Sequence, residues 1–539
     1  MLSESLVNHQ YPNLGAASRT WQLTNDSERI QSALHLVETY YGCTLSCCYV
    51  VPAALRTSQP TGESLKDFVE NAFALAILKH PMFTVGRAQE DSKKPYWIRL
   101  DRIDLNNHIE WQTVTETQDY DKVLQDVLED QVSHKFTNLE TRPHWRSVIL
   151  GLTNPDFIDI VFAWDHTAAD GKSGKIFHES LLACLNTQLG AKEPGPVKDR
   201  SFEVPATAFT PAMQHLIKFP VSFDFVLSEA KKILNVSRPS KSPYTMTGWA
   251  PVQLKPYTTR ISVIKIDKDA LAPILEACRK HGTTLTGLGH ALVLVSMASR
   301  LSEDKARAFV SGTPICMRRY YQEGPPGDSS LDLEKTAGNF VTPWEYNFDA
   351  DTVAKVRQQV SHVKSGSETS SDLEATVWSY ATALRQELGK KLKKGTKDDV
   401  LGLIKFVPDC RSFVKDQLKS RSTAWEISNL GVIDGDPSID NERSNAGENW
   451  TIERSIFTQS ACVSGPALTF SPIAVKNKEL FMTCCWQPEV VDDNLAKGVS
   501  LDLESWLDTL GKTGSIPFEV SAEDLAVYPA STTTKNTAS

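Results

Sequence analysis

Residues 157–185 constrain the fold more than any other stretch of the chain. Phe157 to Ala163 is rich in β-branched and aromatic residues and reads as a mostly buried strand. The loop Trp164-Asp165-His166-Thr167-Ala168-Ala169-Asp170-Gly171 follows it. Ile176, Phe177, Leu181, Leu182 and Leu185 then recur at helical spacing. A histidine therefore stands where a strand ends and a helix is about to begin. Elements of that kind hold a loop side chain rigidly at the mouth of a cleft.

Imidazole titrates near neutrality, so His166 is suited to take a proton from a hydroxyl as a general base. Asp170 is placed to pair with an arginine from elsewhere and lock the loop. Gly171 is expected to let the backbone turn sharply into the helix. The plain alternative is a strand-end histidine with one satisfied hydrogen bond. Two other glycine-lysine-serine motifs are excluded. A phosphate-binding P-loop needs glycine at 166, and a nucleophile elbow around Ser173 needs glycine at 175, where Lys175 stands.

At 539 residues the chain is too long for one ordinary core, so two domains are expected. Its formal net charge of -9 argues against a nucleic-acid partner. The apolar run closest to a membrane span, Leu285 to Met297, is too short and holds Thr286, Gly287, Gly289 and His290; it reads as a buried helix. Met1 to Thr20 has no basic-then-apolar leader pattern, and the cytoplasm is the expected compartment. The 10 cysteines, with adjacent pairs at Cys47-Cys48 and Cys484-Cys485, lack zinc-site spacing and read as reduced, buried thiols.

Along the chain, residues 1–25 read as a loose arm. Helical patterns cover Glu28–Tyr41 and Leu65–Lys79; the second stops at His80-Pro81, where His80 reads as a helix-end residue. Arg142 to Gly151 and Phe157 to Trp164 form an expected antiparallel hairpin, with Trp145 in the core and Arg146 structural. A Ser/Pro/Thr stretch from Val236 places a domain boundary near residue 240, giving units 26–240 and 241–525 and a disordered tail at 526–539. The second unit opens with a strand at Thr259–Ile266, a helix at Asp269–His281 and the buried helix capped by Thr284. Phe309 to Cys316 is a strand followed by Arg318 and Arg319. Leu373 to Leu388 is a helix that runs into Lys390, Lys391, Lys393 and Lys394. Trp425 to Gly431 is a short strand closed by glycine, and further strands are expected at 456–460, 467–470 and 479–486.

His166-Thr-Ala-Ala-Asp170-Gly171 resembles the HxxxDG motif of the CoA-dependent acyltransferase superfamily. That superfamily includes chloramphenicol acetyltransferase, the plant BAHD enzymes and the condensation domains of peptide synthetases. The "Cys-Arg-x-His-Gly-x-Thr-Leu-Thr" run from Cys278, Gly338-Asn339-Phe340 and Ser428-Asn429-x-Gly431 extend the resemblance. It is to the fungal alcohol acetyltransferase and trichothecene-type O-acetyltransferase branch, because the plant signature Asp-Phe-Gly-Trp-Gly is absent. Asp165 stands where a condensation domain usually has a second histidine, which counts against peptide synthesis.

The resemblance implies an α/β (α+β) fold of two chloramphenicol acetyltransferase-like subdomains, each a mixed sheet flanked by helices, with an active-site tunnel between them. It implies an acetyl-CoA-dependent O-acetyltransferase with His166 as base and Asp170 structural, paired to Arg318 first and Arg319 second. Ser428, Asn429 or the Gly171 amide would serve as oxyanion or tunnel donors. The lysines at 390, 391, 393 and 394 would receive the CoA 3′-phosphate or, on the plain reading, form a solvated helix end that complements the helix dipole. No bound cofactor or metal is expected; acetyl-CoA is the co-substrate. The expected acceptor is a hydroxyl of a secondary metabolite, such as a sesquiterpenoid, and the expected state a monomer. A condensation-like protein that works with a phosphopantetheine carrier, and N-acylation of an amine, are the alternatives.

Overall fold

The structure, a computed structural model, describes residues 20–22, 26–56, 64–153, 155–190, 194–206, 209–236, 249–322, 331–366, 370–421, 423–436 and 447–518. Two β-sheets carry the fold. The first half of the chain supplies β1 (Cys43–Val50), β2 (Ile109–Thr113), β3 (Trp145–Gly151) and β4 (Phe157–Trp164). The second half supplies β5 (Arg260–Ile266), β6 (Phe309–Cys316), β7 (Val341–Phe348), β8 (Trp425–Ile427) and β9 (Gly431–Ile433). It continues with β10 (Thr451–Gln459), β11 (Leu468–Val475) and β12 (Leu480–Trp486).

The first sheet has the order β10-β1-β4-β3-β2, antiparallel except for the β3–β2 pair. The second has the order β5-β12-β11-β8-β6-β7, with β9 also paired to β11. Its β6–β8, β8–β11 and β9–β11 pairs are parallel and the rest antiparallel. Each sheet is mixed and covered by helices.

The sequence accounts for most of the elements that reach the site. Helix α1 (Asp26–Leu36) leads into β1 through Thr39 and Tyr40. Helix α2 (Leu65–Leu78) starts in a capping box between Ser64 and Asp67. Just beyond its end stands His80, whose Nε2 lies 2.8 Å from Ser180 Oγ; burial lowers the pKa of this imidazole to about 4. Helix α3 (Tyr120–Ser133) is clamped at its end by Arg146, whose Nη2 donates to the carbonyls of Gln131 and His134. Trp145 is buried, and its Nε1 donates to Phe83 O. Helix α4 (Gly171–Gln188) packs on the first sheet by way of Phe177, Leu181, Leu182 and Leu185. Helix α5 (Leu285–Arg300), capped by Thr284, fills the second core. Helix α6 (Ser370–Lys394) carries the lysine cluster at its end.

Strand β10 crosses the expected division at residue 240. Residues 456–460 were expected in a second unit spanning 241–525. The strand instead lies along β1, with Thr451 opposite Val50 and Gln459 opposite Cys43. Apolar patterning says that a strand is buried, not which sheet edge it joins, so the halves of the chain are not the structural lobes. The expected boundary near 240 and the tail at 526–539 lie outside the described residues. Of the expected arm at 1–25, Thr20–Gln22 is described, as an edge strand on Tyr96–Ile98. Strand β7 alternates the less exposed Trp344, Tyr346 and Phe348 with the exposed Glu345 and Asn347; its Pro343 is tolerated because the strand sits at the edge of its sheet.

The ten cysteines are free, and all but Cys316 and Cys462 are buried. Among the described residues no helix is long and apolar enough to cross a membrane.

Candidate active site

The loop between β4 and α4 is fixed from both lobes. On the first-lobe side, Asp165 is fully buried and pairs with Arg87 at 2.7 Å. Its Oδ1 accepts the Thr167 amide at 2.8 Å, and His144 Nδ1 lies 3.3 Å from Oδ2. Burial alone would raise the Asp165 carboxyl; the Arg87 guanidinium overrides it and holds the group well below the usual carboxylate range.

On the second-lobe side, Asp170 caps α4. Its Oδ1 accepts the Ser173 amide at 3.0 Å. Arg318, just beyond β6, grips the same carboxylate with both terminal nitrogens, at 2.6 and 3.2 Å. The exposures of the arginine and aspartate side chains are 0% and 5%, so the pair is desolvated. Burial pushes the Asp170 carboxyl up, and the Arg318 charge more than offsets it, leaving the pKa lowered. Arg319 is exposed.

Arg318 also orders the segment before β7. It donates to the carbonyls of Thr336 and Gly338, and the Phe340 amide donates to Asp170 Oδ2 at 3.0 Å. Asn339, between these anchors, faces His166. Its Nδ2 donates to the His166 carbonyl at 2.7 Å and lies 3.3 Å from the ring Nδ1. Ser27 Oγ on α1 donates to Asn339 Oδ1 at 3.1 Å, which sets the orientation of the amide.

The His166 imidazole is half-buried, with the Tyr40 ring 5.8 Å away. Burial lowers its pKa; a hydrogen bond from the ring to its own carbonyl and the charges of Asp170 and Asp165 oppose the shift. The net result is a pKa below the ordinary value, so the neutral ring persists to lower pH than in a free histidine.

Gly171 does not act through backbone freedom, as the sequence suggested. Its φ is not positive; it is the first residue of α4. What excludes a side chain is proximity. A Cβ there would come within 2.9 Å of Leu430 Cδ2 and 3.0 Å of Phe457 Cζ. This approach also brings the Ser428–Gly431 segment against the motif loop. Ser428 is buried, and its hydroxyl has no hydrogen-bond partner among the described residues. Asn429 is exposed and otherwise engaged: its Oδ1 accepts the Gly431 amide at 2.8 Å and its Nδ2 donates to Thr286 at 3.2 Å.

The lysine cluster is not drawn into the loop. Lys391 pairs with Asp399, Lys394 with Asp398 and Lys390 with Glu387. Lys393 is exposed and has no partner among the described residues. Sequence reasoning gave no role to Arg87, Asp165, Tyr40 or Asn339. The one signal within reach was the Gly338-Asn339-Phe340 segment, noted there without a function.

Known proteins resemble this chain along most of its length. The sequence model of the family described as alcohol acetyltransferase matches residues 97–496. A probable alcohol acetyltransferase of Fusarium pseudograminearum is 26% identical, over 91% of this chain and 95% of that protein. A probable alcohol acetyltransferase of Aspergillus fumigatus is 22% identical, over 86% and 95%. Among solved structures, trichothecene 15-O-acetyltransferase from Fusarium sporotrichioides shares the fold with a TM-score of 0.63 at 13% identity, covering 90% of this chain and 96% of that one.

Proposed function

Because the chain belongs to the alcohol acetyltransferase family, we propose that it transfers an acetyl group from acetyl-CoA to a hydroxyl, with His166 as the base. Membership alone makes it an acyltransferase. The observation that carries the finer reading is the setting of His166: a half-buried, neutral imidazole on a loop tied down by two buried ion pairs and by Asn339.

For this role the ring proton sits on Nδ1 and the lone pair on Nε2; the Asn339 Nδ2 group is committed to the His166 carbonyl rather than to the ring. Nε2 takes the proton of the acceptor hydroxyl as its oxygen attacks the thioester carbonyl. The tetrahedral intermediate collapses, the carbon–sulfur bond breaks, and the departing CoA thiolate receives that proton. No acyl-enzyme is required, since holding both substrates at once supplies the proximity.

The Ser428 hydroxyl, without a partner among the described residues, is the proposed donor to the oxyanion, with the Gly171 amide as the second candidate; the Asn429 side chain is already bound elsewhere. Asp170 and Arg318 act as positioning residues. Any contact from the lysine cluster to the CoA 3′-phosphate falls to Lys393, because the other three neutralise local carboxylates. His166 and Asp170 come from one half of the chain and Arg318, Asn339 and Ser428 from the other, so one copy makes a whole site. A cytoplasmic monomer that acts on a secondary-metabolite hydroxyl, of the sesquiterpenoid class, is the proposed setting.

The test is CoA release from acetyl-CoA with a panel of alcohols, wild type beside His166→Ala. Release by the wild type, reduced by about 10² to 10⁴ in a folded variant, is expected. Equal rates in the two proteins would refute the base assignment.

A further inference from the structure

The inner face of the second sheet carries a carboxyl group with no role in the mechanism above. In β8 the pleat turns Trp425 and Ile427 into the helix-covered core and Glu426 the opposite way. Glu426 stands opposite Gly312 of β6 on one flank and Thr469 of β11 on the other. Two residues along β11, on the same face, Ser471 Oγ accepts from Gln459 Nε2 of β10 at 3.1 Å. Glu426 is therefore on the face turned toward the first sheet.

Glu426 lies over Gly312. A Cβ at 312 would be in ordinary contact with its Oε2 and Cγ, at 3.4 and 3.5 Å, so the glutamate side chain runs along this face of the sheet. The titratable groups that face it are Tyr40, Cys43, Cys462 and, one strand beyond Gly312, Glu345. None supplies a positive charge. Tyr40 is the wall shared with the base: its ring lies 5.8 Å from that of His166, and its hydroxyl is committed to Gln459 Oε1 at 3.1 Å. Glu426 is half-buried and has no hydrogen bond or ion pair among the described residues. A carboxyl in that position is costly unless something covers it.

Building on the acyl-transfer reading, we propose that Glu426 is the acceptor-recognition residue, accepting a hydrogen bond from a second donor on the acceptor molecule. The acceptor is then multifunctional: one hydroxyl is acylated at His166 and another hydroxyl, or an ammonium, is held by Glu426. Burial first, and the Glu345 charge second, raise the carboxyl to about 7, so it ionises within the working range and its grip on a donor strengthens as pH rises.

The test compares cyclohexanedimethanol with methylcyclohexylmethanol, which lacks the second hydroxyl, and with aminomethylcyclohexylmethanol, which replaces it by an ammonium. The readout is the ratio of kcat/KM for each bifunctional alcohol to that for the mono-alcohol. The wild-type ratio should exceed one and rise through pH 7. In Glu426→Gln and Glu426→Ala it should fall by about tenfold and lose its pH dependence, the change expected for a hydrogen bond to a charged group. Whichever probe shows the larger fall identifies the donor as hydroxyl or ammonium. A structural role would slow all acceptors alike and leave the ratio unmoved, which would overturn the proposal. Calorimetric binding of the bifunctional alcohols to His166→Ala, with and without Glu426→Gln, needs no turnover. Binding weakened by Glu426→Gln, together with a wild type that releases no CoA with any alcohol, would sink the acyl-transfer reading and keep the recognition role of Glu426; unchanged binding would sink that role.

Discussion

Arg87 and Asp165 form a buried ion pair one residue ahead of the proposed base, with Nη1 2.7 Å from Oδ2 and no more than 1% of either side chain exposed. Removing the Asp165 charge leaves the buried Arg87 with Glu90 as its remaining carboxylate partner. Asp165→Asn is expected to destabilise the fold by about 1–3 kcal/mol, measured by denaturant unfolding. It should also lower turnover, since the amide NH2 that replaces Oδ2 meets the Arg87 donors and displaces the loop that carries Thr167 and His166. Wild-type stability in this variant would show that the pair contributes nothing to the fold.

Acid should unlock the loop from both ends. Asp165 and Asp170 each have a folded pKa below the ordinary 3.8. The unfolded chain therefore binds protons first as pH falls. The stability these groups contribute is fully present above the unfolded value and is lost as pH drops through the folded values. Wild-type unfolding midpoints should decline steeply below about pH 4. Asp170→Asn should be weaker at neutral pH and decline less over the same acid window, so the two curves converge.

The lowered pKa of His166 fixes the acid limb of the rate profile. Burial favours the neutral ring, so the limb in kcat/KM should have its midpoint below 6.5. Asn339→Ala removes the donor to the His166 carbonyl. It is expected to reduce kcat by about tenfold or more through misplacement of the ring, with KM for acetyl-CoA little changed. An unaltered kcat would mean that the ion pairs alone hold the loop.

Gly171→Ala sets two effects against each other. Alanine gains about 1 kcal/mol of helix propensity over glycine. Its methyl group would press on Leu430 and Phe457, at 2.9 and 3.0 Å. Overpacking typically costs about 1–3 kcal/mol, so a net fall in melting temperature is expected, together with lost activity as the Ser428–Leu430 segment is pushed away. A higher melting temperature would show that the segment yields easily.

The local parts of this design are legible in the sequence and the long-range parts are not. The run from Phe157 through the loop to Leu185 reads directly, because strand and helix periods leave different apolar patterns. The likeness of His166 to Gly171 to a known motif supplied the chemistry, and the choice of Arg318 rests on that likeness rather than on spacing. Arg87 sits in Val85–Ala88, a strand too short to show alternation. Asp165 reads merely as a histidine that is missing. The approach of Leu430 to Gly171 and of Glu426 to the wall behind His166 depends on how the two sheets face each other. No local pattern encodes that.

Strand β10 has a consequence for how the molecule is made. Its partner β1 leaves the ribosome about 400 residues earlier, which at cellular rates is tens of seconds. Through that interval one edge of the first sheet has backbone donors and acceptors with nothing to bind. The nascent first half is thus an incomplete sheet awaiting its last strand, and the same is true of any fragment ending near residue 240. Such a piece would be a template for pairing with a neighbouring chain. The protein becomes safe from that only when its own distant strand arrives, so both lobes are completed together, late in synthesis.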